Sequence, residues 1–562
     1  MTTALDPVAC YAAMKTHDTR FDGQFFVGVS STHIYCRPVC HAKLPKFENC
    51  TFFRTAAEAE SAGYRPCLQC RPETAPGRST TDAVASLAQR AARAIEDECA
   101  TIGNLDDLAG RLGYTDRHLR RAFESEYQVT PQQYLQTCRL LLAKNLLTET
   151  SLPVSEVATA CGFNSVRRFN DAFKQQYRMP PTHLRQKSGL GANAGGQIVV
   201  TLGYRPPYAW KELLQFLELR AIPGVERVVL PEGARSKVAK ADKTSTGSTK
   251  ESDDLSGSYA RVVRLPKREG GFAEGWISVE RHPRRDALVL RATDSLAPVL
   301  PQVIMNVKNL FDLRCQPEAV VEGLSSLSEI DKRLPIRGLR VPGCFEPFEM
   351  SVRAVLGQQI TVKAASTMAG RIATTLGHPV ETGEDGLACA FPTAEDMLAL
   401  GGDLGDKLGQ LGVIRTRQRT IRELAEAFST GAVDCSYGAD AKEQMASLRA
   451  LPGIGDWTAQ YIAMRAMRYA DAFPATDLGV KKTLAPRTEK QIRELAQQWS
   501  PWRAYATLNL WNVEPATETK KPAKKPAAKG SPAKSRAKKP ARKPSKKKAA
   551  KKSEAKESTA AQ

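Results

Sequence analysis

The sequence predicts a multidomain, mainly α-helical protein. Three observations carry this. Two close cysteine pairs lie near the N-terminus, one helical pattern occurs twice between residues 81 and 185, and the last 48 residues are rich in Lys, Ala and Pro. The expected order is a small α/β module around the cysteines, a helical domain, a mixed α+β layer, an all-helical core and a disordered basic tail.

Composition sets the frame. At 562 residues the chain has room for three or four domains. A hydrophobic fraction of 42% suits a globular protein, and no apolar run reaches the length of a membrane span. Residues 1–10 lack the basic start and apolar core of a secretory signal. Thirteen cysteines without an export signal point to a reducing cytoplasm, where metal is favoured over disulfide.

The cysteines come first. Three residues separate Cys36 from Cys40, two separate Cys67 from Cys70, and 26 lie between the pairs. That is the spacing of a tetrahedral four-thiolate zinc site. Buried thiols of an ordinary core are the alternative, and 13 scattered cysteines would rarely give two such pairs. One zinc ion per chain is expected, held by Cys36, Cys40, Cys67 and Cys70 in a domain spanning 5–76.

The helical pattern follows. Leu105, Leu108, Ala109, Gly113 and Tyr114 match Val154, Val157, Ala158, Gly162 and Phe163 at an offset of 49. The small Ala lets a second helix cross closely, and the Gly supplies a turn with positive φ. This is a helix-turn-helix, twice, within a domain of 80–186. Each is followed by an amphipathic helix, 116–127 and 164–177, of the kind that enters a major groove. A generic helical bundle would also show one such pattern, but rarely two.

With these residues in view, the first half resembles the Ada DNA-repair regulators. Cys36-Arg37-Pro38-Val39-Cys40, Phe53, Gly63-Tyr64-Arg65-Pro66-Cys67 and the doubled helix-turn-helix carry the likeness over residues 5–186. The resemblance implies that the zinc-bound thiolate of Cys36 irreversibly takes a methyl group from a methylated DNA phosphotriester. It also implies an AraC-type helix-turn-helix region that binds promoter DNA afterwards. Thr32 and Arg65 align with the family's DNA-contacting segment, and Lys43 stands where Arg is usual, a point charge in place of a fork. Spacing does not single out the acceptor; that choice rests on the resemblance. Elementary chemistry agrees with the role. Zinc keeps a thiol deprotonated, and the thiolate is the nucleophile. Four thiolates on zinc carry −2, and one methylation leaves −1, which favours nearby phosphates. The family's usual second half, with its Pro-Cys-His-Arg thiol site, is absent.

Another module replaces it. Leu451-Pro-Gly-Ile-Gly-Asp-Trp457 reads as a helix-hairpin-helix, with Gly453 and Gly455 offering free backbone N–H groups to a DNA phosphate ahead of a helix over 457–469. A common Gly-Pro turn would look similar. The Phe473-Pro-Ala-Thr-Asp477 loop, 20 residues beyond Trp457, raises it to the mark of a glycosylase superfamily. Residues 197–514 resemble the AlkA-type 3-methyladenine DNA glycosylases. The likeness runs through Tyr204-Arg205-Pro206-Pro207-Tyr208-Ala209-Trp210, Phe311-Asp312-Leu313, Gly338 to Gly343, Phe348 to Gln359, and Trp499 to Trp511. It implies a TATA-binding-protein-like α+β layer over 197–325, a helical catalytic core over 326–514, and a cleft that holds a flipped-out base. A disordered insertion is expected at 232–258.

Alkylated ring nitrogens make a base cationic and already a good leaving group. Trp457, Tyr461 and Trp511 match the family's pocket aromatics, whose faces attract a cation; core packing is the other use of such residues. Asp477 matches the catalytic carboxylate. Relatives that cut the strand carry Lys where this chain has Trp457, so no imine and no β-elimination are expected. No Cys follows Cys435, so no iron–sulfur cluster is expected. Gln359 falls where the family wedges a side chain into the gap left by the base.

The tail completes the chain. From 515 to 562 there are 17 Lys and Arg against 3 Asp and Glu, with no aromatic and no aliphatic residue larger than Ala. Such a segment cannot bury a core and is expected to be disordered and to bind phosphates by counterion release. The expected partners are alkylated and promoter double-stranded DNA and RNA polymerase, with no membrane. A monomer in a bacterial cytoplasm, associated with the nucleoid, is expected. Two rival readings remain at this point: a regulator with a catalytically silent second half, and a packaging protein built on the tail.

Overall fold

A computed structural model describes residues 5–75, 87–188, 197–231, 256–436 and 439–513. The disorder expected for 515–562, and for 232–255 of the insertion, lies outside the described residues. The last residue of that expected insertion is ordered: Ser258 opens a strand and pairs with Val229. Its polar Ser-Gly-Ser lead-in hides this in the sequence.

The first module runs α1 (Pro7–Lys15), β1 (Phe26–Val29), β2 (Ile34–Cys36), β3 (Cys50–Phe53), α2 (Ala56–Ser61) and β4 (Arg65–Pro66). Its sheet has the order β3-β1-β2-β4, with β2 and β4 parallel. Thr55 caps α2 by accepting from the Glu58 amide.

Seven helices follow: α3 (Leu87–Glu98), α4 (Leu105–Arg111), α5 (Asp116–Tyr127), α6 (Pro131–Glu149), α7 (Val154–Ala160), α8 (Val166–Tyr177) and α9 (Pro181–Ser188). The repeat shows in the packing. α5 buries Leu119, Phe123 and Tyr127, and α8 buries Phe169, Phe173 and Tyr177, each at i, i+4 and i+8. Gly113 and Gly162 take φ of +79° and +81°, as the turns require. At Gly162 a Cβ would also lie 2.6 Å from the Ala100 carbonyl. Thr130 and Gln133 form a capping box that starts α6 at Pro131.

Then come β5 (Gln197–Gly203), α10 (Trp210–Arg220), β6 (Glu226–Val229), β7 (Ser258–Pro266), β8 (Phe272–Arg281), β9 (Ala287–Thr293), α11 (Leu300–Leu310) and α12 (Pro317–Gly323). The five strands form an antiparallel sheet of order β5-β9-β8-β7-β6. One core runs across this sheet and the second helix-turn-helix. Leu147, Val157, Phe169 and Phe173 belong to the same buried cluster as Val200, Leu290, Leu296 and Val299. The first helix-turn-helix has its own core around Ile95, Leu108 and Phe123.

The remainder is helical: α13 (Pro347–Leu356), α14 (Val362–Leu376), the short pair β10 (His378–Pro379) and β11 (Cys389–Ala390), α15 (Ala394–Ala399), α16 (Asp403–Gln410), α17 (Arg415–Ser429), α18 (Ala441–Ala450), α19 (Asp456–Arg465), α20 (Leu478–Thr483), α21 (Glu489–Leu495) and α22 (Arg503–Trp511). They share one large apolar core. The expected helix 457–469 stops at Arg465. The Met467 and Tyr469 amides fold back to the Ile462 and Ala463 carbonyls, and Arg468 turns at φ +56°. No described helix is long and apolar enough to cross a membrane.

Candidate functional site

Parallel pairing of β2 with β4 sets Tyr35 opposite Pro66, so the strand ends carry Cys36 and Cys67 side by side. The four sulfurs of Cys36, Cys40, Cys67 and Cys70 lie within 4.8 Å of one another. Tetrahedral zinc at about 2.3 Å from each sulfur needs separations of about 3.8 Å, so the cluster fits. The thiols share hydrogen bonds. Those with Cys36, then Cys40, hold the Cys67 thiol low, and those with Cys40, then Cys67 and Cys70, push the Cys36 thiol up. Four thiolates this close need a cation if all are to ionise.

Accessibility and hydrogen bonding separate the four. Cys40 and Cys67 are buried, while Cys36 and Cys70 are partly exposed. Cys70 Sγ accepts the Arg37 amide at 3.3 Å and Cys67 Sγ the Gln69 amide at 3.4 Å. Among the described residues no backbone N–H donates to Cys36 Sγ. Thr32 is exposed in the β1–β2 turn, and Lys43 is exposed in the loop after Cys40. Arg65 is half-buried on β4 and adjoins Tyr177 and Met179 of the second helix-turn-helix. The exposed side of α5 carries Arg117, Arg120 and Arg121, and that of α8 carries Arg167, Arg168 and Lys174.

The second cluster centres on Asp477. Its carboxylate caps α20, with Oδ1 accepting the Gly479 and Val480 amides at 2.8 and 3.1 Å. Trp457 Nε1 donates to Oδ2 at 3.0 Å, and Trp511 Nε1 donates to Oδ1 at 2.7 Å. Both indoles thus hold the carboxylate by an edge. Trp457 stacks on Tyr461 with centroids 5.2 Å apart and planes 11° apart, and Tyr461 lies 6.4 Å from Trp511. All three rings are half-buried. Gly479 is required here, because a Cβ would lie 2.7 Å from Trp511 Cδ1.

The sequence reasoning missed three neighbours. Phe216 stacks on Trp511 at 6.2 Å and 13°, Arg220 lies 3.8 Å over Phe216, and Arg465 Nη1 donates to Tyr461 Oη at 2.9 Å. Burial raises the Tyr461 phenol, but Arg465, Arg220 and Arg353 outweigh it and hold the phenol below its ordinary value. Phe216 and Arg220 are four apart on α10, yet they meet Tyr461 and Trp511 only through the fold. No local spacing marks them.

The hairpin between α18 and α19 exposes Gly453 and Gly455. Gly453 has φ +85°, and a Cβ there would lie 2.1 Å from Thr420 Oγ1. Gln359 is exposed on the loop between α13 and α14 with φ +54°. Its neighbour Gln358 turns inward instead, donating to the Gly453 carbonyl at 2.9 Å and to Thr458 Oγ1 at 3.0 Å. This loop is therefore tied to the hairpin. A cavity of about 740 Å³ lies elsewhere, between α3, α6 and α11. Asp477 and the stacked rings do not line it.

Fold and sites define a thiolate metal module and a doubled helix-turn-helix joined to a helix-hairpin-helix base-excision fold. Four family models match in order: the metal binding domain of Ada at 9–73, a helix-turn-helix domain at 108–187, the AlkA N-terminal domain at 199–346, and the HhH-GPD superfamily of base excision DNA repair proteins at 352–500. The chain is 33% identical over 515 residues to a probable bifunctional transcriptional activator/DNA repair enzyme AlkA of Mycobacterium tuberculosis, covering 90% of this chain and 96% of that one. It belongs to that family. It is also 32% identical to DNA-3-methyladenine glycosylase 2 of Escherichia coli, covering 56% of this chain and 97% of that one. A shorter match, 34% identical, covers 23% of this chain and 35% of the Escherichia coli bifunctional transcriptional activator/DNA repair enzyme Ada.

Proposed function

We propose that this protein repairs alkylated DNA at two sites and signals the damage. The second half hydrolyses the N-glycosidic bond of alkylated bases such as 3-methyladenine. The first half accepts methyl from methyl phosphotriesters and then binds promoter DNA. What carries the glycosylase reading is a carboxylate gripped by two indoles, each stacked on a further aromatic ring.

An extruded alkylbase is cationic, and it stacks on Trp457, Tyr461 and Trp511. Arg220 lies over Phe216 and Arg465 over Tyr461 beside them. As the glycosidic bond lengthens, positive charge grows on the sugar. The fixed Asp477 carboxylate stabilises it or takes a proton from the attacking water. Two amides and two indoles fix its aim before the reaction begins. Trp457 offers no amine, so the product is an abasic site with an uncut backbone. Gly453 and Gly455 hold a phosphate, and exposed Gln359 fills the gap in the helix.

At the other site Cys36, Cys40, Cys67 and Cys70 hold one zinc ion per chain. When bound, zinc keeps the four sulfurs as thiolates. Cys36 Sγ attacks the methyl carbon of the phosphotriester. An S–C bond forms, the C–O bond breaks, and the phosphodiester anion leaves. Thr32, Lys43 and Arg65 steady the DNA, and the arginines of α5 and α8 take the promoter grooves. The protein works on the nucleoid as a monomer and recruits RNA polymerase.

Incubation with methylated duplex DNA tests the glycosylase reading. Free 3-methyladenine should appear while the strand stays intact until alkali is added. Borohydride trapping of a covalent imine would refute the monofunctional mechanism.

A further inference from the structure

We infer that the cysteine module is a working part of the glycosylase half, coupled to Asp477 through the contact of Arg37 and Asp22 with Arg205. The inference rests on the zinc reading of the four cysteines and adds a consequence that neither half has alone.

Arg37 follows Cys36 directly. Its amide donates to Cys70 Sγ at 3.3 Å, and its Nη1 donates to the Cys70 carbonyl at 3.1 Å and to Thr74 Oγ1 at 2.7 Å. The rest of the guanidinium grips Asp22, with Nε 2.8 Å from Oδ1 and Nη2 on Oδ2. The loop holding Cys70 therefore fixes Asp22. The Asp22 carbonyl in turn accepts Arg205 Nε at 2.9 Å. Arg205 belongs to the glycosylase half and is 1% exposed.

The chain of contacts continues inward. The Arg205 carbonyl accepts Arg340 Nη2, and Arg340 is fully buried. The next amide, Val341, reaches Asp312 Oδ2 at 3.4 Å, and Tyr505 Oη donates to the same oxygen at 2.7 Å. Tyr505 lies on α22, and that helix ends in Trp511, the donor to Asp477. A second route meets β5. Arg71 pairs with Glu149, and Glu149 Oε2 accepts Thr201 Oγ1 at 3.2 Å. At the end of β5, a Cβ on Gly203 would lie 2.4 Å from the Thr74 carbonyl, so the surfaces are pressed together.

Stripping the metal removes what orders the Cys67–Cys70 loop, and Arg37 then loses its fixed partners. Asp22 no longer presents its carbonyl to Arg205, and the buried links behind it loosen. Buried polar networks of this kind are sensitive to one lost member.

Hydrogen exchange of the full chain, zinc-loaded and chelator-stripped, tests this, with zinc content measured on every sample. The amides to follow are Tyr204, Ala209 and Val341, bonded to Asp286 O, Gly338 O and Asp312 Oδ2. Stripping should speed their exchange at least about fivefold, a small coupling by the usual range, and should lower kcat more than it raises KM. Amides of α17 should not change. Zinc-loaded Asp22→Asn should exchange fast at the same three amides, with little further change on stripping. Acceleration confined to Tyr204 would mean packing only and would overturn the coupling, as would no change at all. If the chain binds no zinc, the reading of the cysteines fails. The coupling is then judged by Asp22→Asn against wild type alone: fast exchange at Ala209 and Val341 supports it, and unchanged exchange overturns it.

Discussion

Trp511→Phe separates the two uses of this ring. The substitution keeps an aromatic face beside Phe216 and Tyr461 but removes the N–H that meets Asp477 Oδ1 at 2.7 Å. A hydrogen bond to a charged group contributes about 1.5–3 kcal/mol. If that hold is needed mainly in the transition state, kcat falls roughly tenfold to hundredfold. KM should change far less, because the stacking surface largely remains. Single-turnover release of 3-methyladenine at saturating enzyme reads the chemical step, and binding to DNA with an uncleavable lesion analogue reads the pocket. Trp457→Phe should behave alike, since its N–H holds the other oxygen at 3.0 Å. A Trp511→Phe protein with full kcat, or with only a raised KM, would show that the indole is a wall and nothing more.

Three further outcomes follow from other parts of the chain. Glu60 is buried between α2 and α6, and burial pushes its carboxyl from 4.5 up to about 8; the folded state keeps a proton that the unfolded chain has lost, so stability should fall by about 1.4 kcal/mol per pH unit between those values, and Glu60→Gln should flatten that limb of a pH series of denaturant melts. Mass spectrometry after exposure to methyl-phosphotriester DNA should place one methyl on Cys36, and a methyl on Cys67 or Cys70 would refute the assignment. Deleting 515–562, with its 17 basic residues, should flatten the dependence of log affinity on log salt, and an unchanged slope would mean the tail does not lie on DNA.

How much was legible in the sequence depended on the range of the physics. The cysteine pairs, the two turn glycines and the hairpin are short-range devices, and their spacing alone places them. The helix 116–127 has the bounds that its apolar spacing and Thr115 cap dictate. The helix after Trp457 ends early because Arg468 takes a left-handed turn that no Gly or Pro announces. Asp477 and its aromatic partners were visible through resemblance, yet the indole grip on the carboxylate was not. That contact joins residues 20 and 34 apart across separate helices. Phe216 and Arg220 were hidden for the same reason, since they come from the α+β layer and pack on aromatic rings of the helical core. The shared core of the second helix-turn-helix and the five-stranded sheet was also invisible, because apolar periodicity names a buried face and not its partner.

The most direct test of the account is base release by Asp477→Asn. The variant keeps size and, with its amide oxygen in the Oδ1 place, the cap of α20, while it removes the charge and the acceptor for Trp457 Nε1. It should release no 3-methyladenine above background, bind lesion DNA as wild type does, and still take a methyl on Cys36. Excision at the wild-type rate would contradict the central claim that this carboxylate, held by Trp457 and Trp511, carries the glycosylase chemistry.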